Sequence, residues 1–274
     1  MTQRATRGMR WPIENLGLVD DEEIVIDQAG LSLALLDHPY VDPAPSEDLL
    51  DSLAERASVV GSDAFDGLAQ ATALSKVLGD EFGFAGDENT YNDPANADLI
   101  CVIERRRGLP VSLSLLYVAT ARRLGWIGNV LDVPGHALVL VGEDQSAVIV
   151  DPFDGGKLVS SDDLTALVLA SDHAYASARQ VAAMTNRAIL VRLLANQATR
   201  AAQVGMVDRA LEIYDRMTLI APCYGHAWWQ RSRLEYMLGN VSAARNSLAA
   251  ILEITRDAHV RRRVDERLYA LPAC

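Results

Sequence analysis

Cysteine is scarce in this sequence. Cys101, Cys223 and Cys274 are odd in number, widely spaced and form no Cys-x-x-Cys pair, which argues against a disulfide framework and against a zinc knuckle. Free thiols of this kind fit a reducing compartment. Long apolar runs are also missing: no stretch reaches the ~18 consecutive apolar residues of a membrane-spanning helix. The start, Met1-Thr2-Gln3-Arg4, lacks the apolar core of a secretory signal. The expected location is the cytoplasm, with no membrane association. Positive charge is in deficit, and a net charge of −12 repels phosphate backbones and anionic headgroups, so nucleic acid is not an expected partner. His38, His173, His226 and His259 show no ligand spacing among themselves, so neither a metal site nor a cofactor is expected.

Half of the 274 residues are apolar and 23% are charged, the balance of a globular chain that buries a core without covalent staples. The one dense basic run, Arg105-Arg106-Arg107, is followed by Gly108. It reads as the solvated end of a helix, where cations meet the negative end of the dipole. An anion site is the sharper alternative.

Residues 1–20 show no clear periodicity and read as a poorly ordered lead-in. A helix over about 21–36 should stop before Pro39, and a Pro-rich link then leads to Ser46, a natural cap for a helix reaching about residue 60. A third helix, over about 64–78, completes an amino-terminal helical subdomain at 21–80. The core at 81–177 opens on a Gly, Asp and Asn-rich loop and a short helix at about 97–107. Pro110 then starts the most apolar helix of the chain, ended by Gly125. Apolar side chains cover nearly its whole circumference, so it should be buried between sheet and helices. Short β-branched runs at 127–133, 137–141 and 147–150 read as strands, the last two joined as an antiparallel hairpin by the turn 142–146. From residue 178 to 274 the chain reads as helical. Gly205-Met206-Val207-Asp208-Arg209-Ala210-Leu211 recurs loosely 34 residues later from Gly239, which is the tetratricopeptide period. Trp228-Trp229 reads as packing within that repeat, with a peptide-binding patch as the alternative.

A hairpin centred near residue 144 places His136 beside Asp151 at its open end. A carboxylate next to an imidazole fixes its tautomer and stabilises its charged form, the base-and-orienter half of a nucleophilic triad. Asp154-Gly155-Gly156 reads as a turn, with an oxygen-rich metal loop as the sharper reading.

Three segments, Arg105-Arg106-Arg107-Gly108-Leu109-Pro110-Val111-Ser112-Leu113-Ser114, Pro134-Gly135-His136-Ala137-Leu138-Val139 and Asp151-Pro152-Phe153-Asp154-Gly155-Gly156, resemble in order and spacing the motifs of the SirB-type transglutaminase-like family with tetratricopeptide tails. The resemblance covers most of the chain from about residue 20. It implies an α+β fold with a papain/transglutaminase-like core, a buried central helix packed on a small antiparallel sheet, flanked by amino-terminal helices and a helical-repeat tail. It places His136 and Asp151 at the histidine and aspartate positions of the triad but supplies no nucleophile, because the cysteine position falls on Pro110. Ser112 is the hydroxyl candidate for catalysis, with Ser114 beside it; Cys101 reads as a buried, inert thiol. The resulting reading is a degenerate, non-catalytic protein acting as a protein- or peptide-binding or regulatory module. The alternative is an acyl-transfer or hydrolytic, protease-like enzyme using His136 and Asp151 with an unidentified nucleophile, for which Ser112 and an activated water are candidates.

Overall fold

The structure, a computed structural model, describes residues 12–170 and 181–272. The chain forms two compact units, one spanning Asp21–Leu193 and one combining Met1–Asp20 with Leu194–Cys274. Of the expected lead-in, residues 1–11 lie outside the described set. The remainder includes a turn of helix, α1 (Ile13–Leu16), whose Leu16 is fully buried in the smaller unit.

In the larger unit, the helix expected over 21–36 is divided. A 3-10 turn at Asp21–Glu23 precedes α2 (Ile26–Leu35), because the Asp21 carboxylate is used elsewhere: it accepts from the backbone N–H groups of Asn186 and Arg187, both at 2.8 Å. After α3 (Ala44–Val60), Asp66 caps α4 (Gly67–Leu74) by accepting from the Ala69 N–H. The chain does not stop near 78 but continues as a π-helical stretch at Ser75–Glu81. Such widened turns cluster at functional sites. Here the turn brings Ser75 and Gly79 against the loop at Gly155 and Gly156, with the Ser75 hydroxyl donating to the Gly156 carbonyl at 2.6 Å.

A short strand β1 (Ala85–Gly86) leads through a 3-10 turn at Pro94–Ala97 to α5 (Leu99–Arg105), which ends two residues before the expected 107. Arg106 takes a left-handed conformation (φ 58°), and the next two residues form β2 (Arg107–Gly108), parallel to β1. The central helix α6 (Pro110–Arg123) is buried at every position from Pro110 to Ala121, and it packs against the sheet on one side and α2 and α3 on the other. This is the layering that its all-round apolar surface requires.

The sheet is antiparallel throughout. Strands β3 (Gly128–Val133), β4 (His136–Val141), β5 (Val148–Asp151), β6 (Lys157–Val159) and β7 (Ala182–Ala183) are arranged in the order β6-β5-β4-β3-β7. Helix α7 (Ser161–Ala170) lies between β6 and β7 in sequence. The strands β6 and β7 had no clear signal in the sequence, being three and two residues long. The helical region expected from 178 starts later, with α8 (Asn186–Gln203); residues 178–180 lie outside the described set.

Pairing of Val139 with Val150 and Val141 with Val148 sets the β4/β5 register. Extended by one step, it puts Asp151 opposite Leu138, two residues from the expected pairing with His136, because a 3-10 turn at Asp144–Ser146 shifts the centre of the connection. A slip of two conserves the face on which every side chain lies, whereas a slip of one would reverse it.

In the smaller unit, α9 (Val207–Ile220), α10 (Gly225–Met237), α11 (Val241–Ile254) and α12 (Ala258–Ala270) form antiparallel pairs. Both ends of α11 fall 34 residues after those of α9. The turns repeat as well, with Gly205 at φ 78° and Gly239 at φ 81°. Ala210 and Ala244 occupy equivalent, fully buried positions. Among the described residues no helix is long and apolar enough to cross a membrane.

Candidate functional site

The turn that delivers His136 is set by Pro134-Gly135, since a Pro followed by a Gly at φ 75° suits a tight connection needing positive φ at its second position. His136 then opens β4. Its carbonyl accepts from Arg192 Nη2 at 2.6 Å, and Arg192 also pairs with Asp132, so the strand end is held by a guanidinium from α8. Asp151 closes β5 and is used twice: Oδ1 accepts from the Phe153 N–H at 2.9 Å, and Oδ2 lies 2.8 Å from His136 Nε2. The two side chains are diagonal neighbours across the strands, a separation that long side chains span readily. Both remain reachable by solvent, at 18% and 17% exposure.

The loop after Asp151 is unusually constrained. Gly155 and Gly156 both have positive φ, and the Gly156 N–H returns to the Asp151 carbonyl at 2.7 Å. Phe153 presents its ring edge-on to His136 at 6.0 Å and to Tyr91 at 5.9 Å. On its far side Phe153 lies so close to Gly86 that any Cβ there would enter the ring. Beneath the loop, the Tyr117 hydroxyl is buried without a hydrogen-bond partner among the described residues. Burial, and then the negative charges of Asp80 and Asp151, push the Tyr117 phenol well above its ordinary pKa. A cavity of about 370 Å³ opens on Asp151, Lys157 and Asp163.

The start of α6 is closed. The Ser112 hydroxyl lies 2.8 Å from the Asn96 carbonyl and 2.9 Å from that of Leu109, and Ser114 faces the Ala137 carbonyl at 3.3 Å. Neither serine has any solvent exposure. A hydroxyl has one proton to give, and in both cases backbone carbonyls receive it. His136 and Asp151 are thus brought together, while Ser112 is held in its own carbonyl cradle.

The basic run is committed to internal partners. Arg105 pairs with Asp87 at 2.9 Å and Asp93 at 3.3 Å, Arg106 lies 4.8 Å over the Phe84 ring, and Arg107 donates to the Gly83 carbonyl at 2.7 Å. It ends a helix, as one sequence reading has it, and also latches the loop at 83–93.

Sequence reasoning missed one cluster altogether. His38 Nε2 sits 3.0 Å from Asp98 Oδ2 and 3.9 Å from Cys101 Sγ. Asp98 and Cys101 are three residues apart at the start of α5, hence on one face, and that spacing was the available signal. Burial, reinforced by the charge of Asp98, pushes the Cys101 thiol up to about 12, so it is no ready nucleophile.

In the repeat unit, a cavity of about 540 Å³ is lined by His226, Trp229, Gln230, Ile251 and Arg263 among others. The Arg263 guanidinium lies 5.3 Å over the Trp229 ring, and burial lowers the pKa of His226.

Comparison with known proteins adds to this geometry. The transglutaminase-like superfamily matches residues 45–195, and the tetratricopeptide repeat matches residues 198–269. A UPF0162 protein of Xylella fastidiosa (strain 9a5c) is 30% identical over 252 residues, 89% of either chain. A UPF0162 protein of Pseudomonas aeruginosa is 26% identical over 254 residues, 92% of this chain and 93% of its own. Human F-box only protein 21 is 34% identical over 82 residues, which is 30% of this chain and 13% of that protein.

Proposed function

This chain belongs to the transglutaminase-like superfamily and carries tetratricopeptide repeats, and from that premise we propose that it is a degenerate, non-catalytic member that binds a protein or peptide partner. The observation that carries this reading is the commitment of the α6 hydroxyls: Ser112 and Ser114 are fully buried and engaged with carbonyls. A serine becomes a nucleophile only when a base takes its proton in line with attack. At the cysteine position of the pattern stands Pro110, and the Cys101 thiol lies beside His38 instead. In this reading the His136–Asp151 pair locks the end of the sheet. The free thiols suit a cytoplasmic setting.

The binding surface is the Trp229 cavity of the repeat helices. An aromatic ring with a guanidinium over it suits a peptide segment that offers an apolar side chain next to a carboxylate. A peptide array probed with the whole protein should yield ligands of that composition, weakened about tenfold or more by Trp229→Ala and left intact by the protein. Peptide conversion that disappears in His136→Ala would refute the non-catalytic reading. That enzymatic alternative draws on one observation, the 2.8 Å His136–Asp151 contact in solvent reach.

A further inference from the structure

The cluster of His38, Asp98 and Cys101 lies outside the site described above, and its donor set is that of a metal centre. Three side chains of different chemistry, an imidazole, a carboxylate and a thiol, each offer one ligand atom, and these atoms lie within 4.8 Å of one another. They come from two separate segments. His38 sits in the turn after α2, where its N–H bonds back to the Leu35 carbonyl, while Asp98 and Cys101 belong to the first turn of α5.

We propose that His38, Asp98 and Cys101 form a three-ligand site for a divalent, borderline-soft metal ion, zinc by its ligand chemistry, with the fourth position open to water. Zinc bonds of about 2.0–2.1 Å to nitrogen, 2.0–2.2 Å to carboxylate oxygen and 2.3 Å to sulfur, arranged tetrahedrally, set the nitrogen at about 3.3 Å from the oxygen and about 3.6 Å from the sulfur. The distances here are 3.0 Å and 3.9 Å, so these two pairs need only a few tenths of an ångström of adjustment, and the oxygen and sulfur lie within 4.8 Å of each other. Both the carboxylate and the sulfur approach the same nitrogen, Nε2. In a hydrolytic triad they would divide between the two ring nitrogens; convergence on one nitrogen is the arrangement of ligands around a common point.

The supports of the site are those of a fixed ligand set. Asp98 Oδ1 is held by the Cys101 N–H at 3.0 Å, which leaves Oδ2 for the ion and orients the carboxylate without occupying it. The mix of sulfur, nitrogen and a single carboxylate disfavours magnesium and calcium, which take oxygen ligands. His38 is 29% and Asp98 11% exposed, enough for an ion to enter and for a water to complete the tetrahedron. A divalent ion would neutralise the carboxylate and the thiolate it binds, the thiol proton leaving to solvent.

The bound ion would fasten the turn after α2 to the start of α5. Full-length protein stripped with a chelator and titrated with cobalt(II) should take up one ion per chain, with intense tetrahedral visible bands and a thiolate-to-cobalt charge-transfer band in the near ultraviolet. Cys101→Ser should abolish the charge-transfer band. Competition with a chromophoric chelator should show zinc affinity falling at least tenfold in Cys101→Ser and in His38→Ala, while Cys223→Ser changes neither readout. Melting curves without metal establish that the variants are folded. The absence of a thiolate band in the wild-type protein, or zinc affinity unchanged in folded His38→Ala, overturns the proposal.

Discussion

Replacing Arg123 with Met should lower the folding stability of the larger unit by about 3 kcal/mol, the lower end of what breaking a buried ion pair costs. Arg123 ends the central helix, and its Nη2 and Nε lie 2.7 Å and 2.8 Å from Asp27 Oδ2, with Nη1 turned to Asp51. Asp27 is only 2% exposed. Without the guanidinium its carboxylate is left buried and uncompensated, and this stranded charge, more than the lost attraction, sets the size of the effect. The double variant Arg123→Met with Asp27→Leu should therefore recover much of the loss, since a buried pair replaced as a whole by apolar groups is often close to neutral. Denaturant unfolding of the two proteins and the wild type checks both statements. A double variant as unstable as the single one would show that the cost lies in packing.

The second large effect is expected at Gly156, where Gly156→Ala should cost about 2–4 kcal/mol. Two penalties combine. The residue has φ 87°, a region in which a non-glycine residue pays about 1 kcal/mol or more. A Cβ would also fall 2.6 Å from the Tyr117 hydroxyl and 2.7 Å from Ser75 Cβ, and forcing extra volume into a packed interior costs about 1–3 kcal/mol. Ser75 and Tyr117 are anchored in helices, so the loop must yield. Because the Gly156 N–H is bonded to the Asp151 carbonyl, such movement carries Asp151 away from His136. The His136 ring resonances in NMR spectra should shift along with the melting temperature. A stability loss that leaves those resonances in place would separate the loop from the pair.

Much of the architecture could be read from side-chain order alone. The buried all-round helix from Pro110, the two hairpin strands and the 34-residue repeat were legible because each depends on local periodicity and on Gly or Pro at defined points. The pairing of His136 with Asp151 was legible for a subtler reason. The register differs from the arithmetic by two residues, and the pleat returns every side chain to the same face after two. What stayed hidden was long-range. Asp21 caps a helix some 165 residues away, which splits the helix expected at 21–36. The π-helical stretch at Ser75–Glu81 answers to the glycine loop it meets, and nothing in its own sequence announces it. His38 lies 60 residues from Asp98, so no spacing rule could join them.

If His136 has no nucleophile in front of it, as proposed, an attempt to trap one should fail. The intact protein should be incubated with peptide electrophiles of the acyl and chloromethyl ketone classes, then weighed by mass spectrometry and digested to locate any adduct. No stoichiometric adduct should form on Ser112 or Ser114, and exposed thiols such as Cys223 should show the same slow background labelling in wild type and in His136→Ala. A single adduct that forms rapidly in the wild type and is lost in His136→Ala would contradict it, identifying both the missing nucleophile and a working enzyme.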